Sequence, residues 1–322
     1  MPWRRILTWG FVAIVAVFLV HHARQVDWPA VGHALADTPP HVLGRAALLS
    51  AVTLALYSCM DLLGRRYTGH ALSVGQVMKV NFISYAFNLN LGSLIGAIGF
   101  RLRLYAQLGL ARETITRIIS LSILSNWLGF LVLGGLVFTF RPLELPRGWS
   151  LGREGLQILG PSLLLAAAVY VGLCLTQGQN GWRFRGRTVL LPTPRMVAAQ
   201  LLIACGHWIA MAAILFILLQ GAAPYAVVLG VLLVAAVAGV VTHIPAGLGV
   251  LEAVFLTLLT PRVPAPQMLA ALLAYRAVYY LLPLALALAM YLVFEAQQPA
   301  RRLRRVRQGH ARRLHRHMRP PH

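Results

Sequence analysis

Residues 242–252 read T-H-I-P-A-G-L-G-V-L-E and lie between long apolar runs, 226–241 before and 253–259 after. A proline, two glycines, a histidine and a carboxylate therefore fall at or near membrane depth. Backbone in hydrocarbon must satisfy its own hydrogen bonds, so a break there is tolerated only where it is buried in protein or lines a wet cavity. An ionisable residue at that depth points to function. Two readings stay open: a helix kinked at Pro245 whose ends reach the headgroup layer, or a discontinuous helix lining a polar site.

Outward from this stretch, composition fixes the class. Of 322 residues, 58% are hydrophobic and 11% charged, against about a quarter charged in soluble domains. The chain is expected to be an all-α polytopic membrane protein. Its 8 acids face 29 Lys and Arg, a formal charge of +21. In a membrane protein that excess sets topology and attracts an anionic leaflet, so no nucleic-acid partner is expected. Cys59, Cys174 and Cys205 lie in apolar runs without CxxC spacing and read as packing residues. No metal-binding, phosphate-loop or other catalytic fingerprint occurs, so neither metal nor cofactor is expected.

Apolar runs at 6–20, 43–63, 118–138, 156–175, 197–219, 226–241, 249–259 and 267–294 suggest about eight crossings, although 249–259 is short of the roughly 20 residues that a span needs. Segment 80–99 is mostly apolar but holds Asn81, Asn88, Asn90 and three glycines, and Arg101, Arg103, Arg112 and Arg117 follow it. A full crossing would put that basic block outside, against the positive-inside rule. A re-entrant hairpin removes the conflict and leaves both termini cytoplasmic. Residues 1–300 then form one transmembrane domain, and the Arg- and His-rich stretch 301–322 forms a cytoplasmic tail. Asp61, four residues before Arg65, is expected to pair with it along the helix.

The interrupted segments 88–103 and 242–252 occupy the first and second parts of the chain. Paired broken helices of this kind point to a transporter's substrate site. A helix that starts inside the membrane offers free N–H groups and a positive dipole end to an anion. The candidate substrate-binding residues are Asn88, Arg101, Arg103, His243, Pro245, Gly247, Gly249, Glu252, Tyr275 and Arg276. Arg101 and Arg103 suit a phosphate through forked hydrogen bonds, or headgroup snorkelling as ordinary inside-positive residues. Glu252 needs a partner, and Arg276 within the last span is the natural one. Tyr275, Tyr279 and Tyr280 read by default as an interfacial aromatic belt.

These residues also carry a family resemblance. V-D-W at 26–28, S-Y-A-F-N-L at 84–89, R-L-R-L-Y-A-Q-L-G-L at 101–110, T-I-T-R-I at 114–118, N-W-L-G at 126–129, H-I-P-A-G-L-G-V-L-E-A-V-F at 243–255 and L-L-A-Y-R-A-V-Y-Y at 272–280 occur in order along most of the chain. It resembles the lysylphosphatidylglycerol synthase transmembrane-domain family, the flippase-like domain of bacterial aminoacyl-phosphatidylglycerol synthases, and in particular its stand-alone inner-membrane members. The resemblance implies a flippase-like fold with re-entrant segments in the bacterial inner membrane. It also implies an anionic or aminoacylated phospholipid, such as phosphatidylglycerol or cardiolipin, as the ligand. The family's P-x-G-x-G-x-x-E pattern falls on Pro245, Gly247, Gly249 and Glu252. The chain ends shortly after the last span, so the cytosolic lysyltransferase domain is expected to be absent and lysyl transfer is not expected. A membrane-embedded lipid-modifying enzyme and a non-catalytic partner that recruits lipid enzymes are the rival readings. A homo-oligomer or a lipid-synthesis enzyme partner stays open.

Overall fold

The long apolar runs become long helices, because a backbone without water must bond to itself. The computed structural model describes residues 28–140, 143, 153–177, 182–184, 187–189, 191–242, 247, 249–260 and 262–297, with 17, 20 and 24. Among them, six helices are long and apolar enough to cross a membrane.

A short α1 (Trp28–Asp37) leads into α2 (Pro40–Thr68), which starts on a proline whose missing N–H costs nothing at that position. The helix ends at Gly69, whose left-handed backbone lets its N–H return to the Arg65 carbonyl at 2.9 Å. A Ser73–Gln76 capping box opens α3 (Val74–Leu91). After Gly92 come a π-helical segment (Ser93–Phe100), the short α4 (Arg101–Gln107) and α5 (Arg112–Phe140). Then follow α6 (Arg153–Gln177), a hairpin of β1 (Trp182–Phe184) and β2 (Arg187–Val189), and α7 (Pro194–Leu218). The last third holds α8 (Tyr225–Thr242), α9 (Val250–Leu259), α10 (Ala265–Tyr275), a π-helical turn (Arg276–Leu281) and α11 (Leu282–Ala296). The six candidate spans are α2, α5, α6, α7, α8 and the continuous run from α10 through α11.

Helices α2, α5 and α7 pack on one another at the centre. Small residues permit this: a Cβ on Gly129 of α5 would stand 2.6 Å from the Ala204 carbonyl carbon of α7. Of the expected spans, 6–20 lies outside the described residues apart from 17 and 20. The short run near 249–259 is α9, ten residues long. Segment 80–99 does not continue as one helix. The chain reverses at Gly92, so Phe100 stacks on Phe87 with ring centroids 4.0 Å apart. Gly96 nests on the Asn88 backbone, where a Cβ would come within 2.1 Å.

Candidate functional site: two ion pairs joined by tyrosines

Arg276 binds the described part of the break between α8 and α9. Gly247 (φ 56°) and Gly249 (φ 77°) take left-handed conformations that L side chains resist. They place Glu252 in the first turn of α9, where the helix dipole favours a carboxylate. Arg276 opens the π-helical turn of the last span. Its Nε lies 2.5 Å from Glu252 Oε1, and its Nη2 donates to Oε2 at 2.9 Å and to the Gly247 carbonyl at 3.2 Å. The expected Glu252–Arg276 pair is thus formed, and the same guanidinium grips the backbone within the break, at Gly247. The side chains of Arg276 and Glu252 are 10% and 18% exposed, shielded yet not sealed. Tyr280 lies beneath the guanidinium, 5.6 Å from ring centroid to guanidinium carbon. His243 and Pro245 lie outside the described residues.

A second pair is buried, and its acid, Asp61, was expected to bind a different partner. Asp61 does not pair with Arg65, whose Nε donates to the Leu72 carbonyl at 2.6 Å. The hairpin instead returns Arg101 to α2, where its Nε lies 3.1 Å from Asp61 Oδ2. The Tyr105 hydroxyl donates to the same oxygen at 2.8 Å, and the other Arg101 nitrogens reach the Ala97 carbonyl and Ser122 Oγ. Neither charged side chain is exposed, and a buried charge persists only when paired and hydrogen-bonded in this way. Arg103 also meets a protein carboxylate, Glu295 at 3.0 Å, tying α4 to α11. Asn88 contributes through its backbone, its carbonyl accepting from the Gly92 N–H at 2.9 Å.

Aromatic groups connect the two pairs. Arg101 lies over the Tyr57 ring at 5.6 Å, and Tyr57 stacks on Tyr85 at 3.5 Å. The Tyr85 hydroxyl is 3.0 Å from that of Tyr279 and 3.3 Å from His207 Nε2. His207 Nδ1 lies 3.2 Å from the Thr53 carbonyl. A carbonyl only accepts, so Nδ1 carries the proton and the neutral ring's Nε2 accepts from Tyr85. Tyr279 stacks in turn on Tyr275 at 5.2 Å. Tyr275 and Tyr279 are fully buried, so they form part of the core rather than an interfacial belt. The Tyr275 hydroxyl has no hydrogen-bond partner among the described residues. Two carbonyls of the π-helical turn are taken by side chains of other helices, Val278 by Ser50 and Tyr280 by Asn90, each at 3.2 Å.

Sequence reasoning left Tyr57, Tyr85 and His207 unassigned. The available signal was a polar side chain within an apolar run, which in a membrane helix marks an interior-facing position.

The charged break, the hairpin and the helix bundle can be set beside known proteins. The chain is 47% identical over 307 residues to the inner membrane protein YbhN of Escherichia coli K12, covering 94% of both proteins. It is 34% identical to slr0712 of Synechocystis over 272 residues, 83% of each. It is 26% identical over 304 residues to a phosphatidylglycerol lysyltransferase of Staphylococcus haemolyticus, covering 91% of this chain and 34% of that enzyme. The family described as lysylphosphatidylglycerol synthase TM region matches residues 7–287, a stretch containing both ion pairs and the tyrosines between them. This multi-pass inner membrane protein therefore belongs to the lysylphosphatidylglycerol synthase transmembrane-region family.

Proposed function

We propose that the chain translocates an anionic or aminoacylated phospholipid across the inner membrane, with Glu252 and Arg276 as the gate. The observation that carries this reading is the double grip of Arg276 on Glu252 of α9 and on the Gly247 carbonyl within the break that precedes it. A phosphate is a forked, charge-assisted acceptor for a guanidinium, just as a carboxylate is. A headgroup phosphate that reaches Arg276 competes with Glu252 and loosens the clamp. The backbone N–H groups around Gly247 and Gly249 and the buried Tyr275 hydroxyl then supply further donors to the headgroup. Arg101 and Arg103 hold the first hairpin in position through Asp61 and Glu295. In the full topology the hairpin at Gly92 is re-entrant, about eight helices cross, and both termini face the cytoplasm. Support for the lipid class comes from the relative whose name is phosphatidylglycerol lysyltransferase and from a strongly basic chain suited to anionic lipid.

Proteoliposomes carrying labelled phosphatidylglycerol, with phosphatidylcholine as control, test this. The anionic lipid is expected to move, and Glu252→Gln and Arg276→Gln are each expected to abolish movement while the protein still inserts. Wild-type rates in both variants would remove the gate, and no movement by the folded parent would remove the translocator.

A further inference from the structure

We infer that a lateral groove between α2, α3 and α11 binds one acyl chain of an anionic phospholipid, with the lipid phosphate held at Lys79. The groove encloses about 430 Å³, within the range of roughly 300–1,000 Å³ typical of small-molecule sites. On one side α2 presents the small side chains of Ala47, Ala51 and Ala55. Opposite stand bulky residues such as Phe82 of α3 and Leu286 and Met290 of α11. The hydroxyls that reach it are already committed, Ser50 to the Val278 carbonyl and Ser58 to the Leu54 carbonyl. Among the described residues, Lys79 is the one charged side chain of the lining, and it is exposed.

Length and polarity choose the occupant. From Ala47 to Ser58 the α2 wall runs for about 16 Å at 1.5 Å per residue. That is close to half of a hydrocarbon core of roughly 30 Å, the depth of one leaflet. Helices α2 and α3 are joined by residues 69–73 and run antiparallel, with Tyr57 stacked on Tyr85. Lys79 therefore lies toward the α2 C-terminus, where the last turn carries Arg65 and Arg66. The other end stops at Val278, inside the π-helical turn that starts with Arg276. An apolar trough one leaflet deep with a basic mouth complements a lipid tail joined to an anionic headgroup. A zwitterionic lipid offers the same tail without the net charge that Lys79 favours. Occupancy of the groove does not require that any lipid be moved, so this assignment and the translocator reading fail separately.

Lys79 is the sole lysine of the chain, so an amine-reactive reagent read by peptide mass reports this position without interference. The full-length protein is labelled in dioleoyl-phosphatidylglycerol nanodiscs, in dioleoyl-phosphatidylcholine nanodiscs and in lipid-free detergent. Phosphatidylglycerol is expected to slow labelling severalfold relative to the other two conditions. Filling the trough with Ala51→Trp is expected to remove that protection although Lys79 remains. In native mass spectrometry, Lys79→Gln should weaken retention of phosphatidylglycerol about fivefold, the size expected of one basic residue near an anionic surface, and leave phosphatidylcholine unchanged. Equal labelling in both nanodiscs would overturn the assignment. So would protection that survives Ala51→Trp, which would reduce the effect to diffuse surface charge. Protection already present in lipid-free detergent would overturn it too, by giving the groove to another part of the protein.

Discussion

Arg101 and Asp61, 40 positions apart, form an ion pair with Nε 3.1 Å from Oδ2 and with neither side chain exposed. The pair fastens the reversed hairpin to the central helix α2. Removing one partner strands a charge in low dielectric and costs about 3–5 kcal/mol, whereas replacing both by apolar groups is often neutral. Arg101→Met and Asp61→Leu are therefore each expected to lower the thermal midpoint in detergent steeply, and the double variant is expected to regain most of the loss. Fluorescence-detected melting reads this directly. A double variant that loses the sum of the two single losses would mean that the two residues act independently.

The hairpin depends on Gly96. A Cβ there would come within 2.1 Å of the Asn88 backbone, which cannot swing aside as a flexible side chain can. Gly96→Ala is expected to open the hairpin and to lose more than about 3 kcal/mol, the range of overpacking errors and above. Gly239 in α8 is the matched control, with nothing among the described residues within 4 Å of its added Cβ. Gly239→Ala is expected to be neutral or to stabilise by up to about 1 kcal/mol through helix propensity. Yield of monodisperse protein and melting temperature separate the two outcomes.

The tyrosine chain predicts an order of effects. Tyr85→Phe removes the donor to His207 Nε2 and the partner of Tyr279 at once, leaving a buried acceptor unpaired at about 1–3 kcal/mol. Tyr279→Phe removes one hydroxyl and leaves the bond from Tyr85 to His207 intact. Tyr85→Phe is thus expected to be the more destabilising by about 1 kcal/mol or more. The reverse order in chemical denaturation would mean that the hydrogen bonds run the other way.

How much of this was legible in the sequence depended on the range of each interaction. Apolar runs marked the six long helices, because hydropathy over some 20 residues is a local property. Glu252 and Arg276 could be paired because each is isolated in hydrocarbon and needs the other. Asp61 misled for the opposite reason: Arg65 stands at ideal helical spacing, while Arg101 becomes a neighbour only after the chain folds back at Gly92. Tyr275 and Tyr279 matched the composition of an interfacial belt, and only the packing of the last span against α1, α2, α3 and α7 buries them. The π-helical turns leave no sequence signature of their own. The second of them becomes visible as carbonyls bonded to Ser50 and Asn90.

Arg276→Lys separates geometry from charge at the gate. The guanidinium reaches both Glu252 oxygens and the Gly247 carbonyl with two nitrogens at fixed angles, and a single ammonium cannot reproduce that fork. The lysine keeps the positive charge, so Glu252 is not stranded and the fold is expected to survive. One lost charge-assisted hydrogen bond is worth about 1.5–3 kcal/mol, which corresponds to a roughly tenfold to hundredfold effect. Phosphatidylglycerol movement in proteoliposomes is therefore expected to fall by at least about tenfold, with a melting temperature close to that of the parent. Parental transport in Arg276→Lys would show that charge alone suffices and that the grip on Gly247 has no part in gating. A collapsed melting temperature would assign the fork to stability instead.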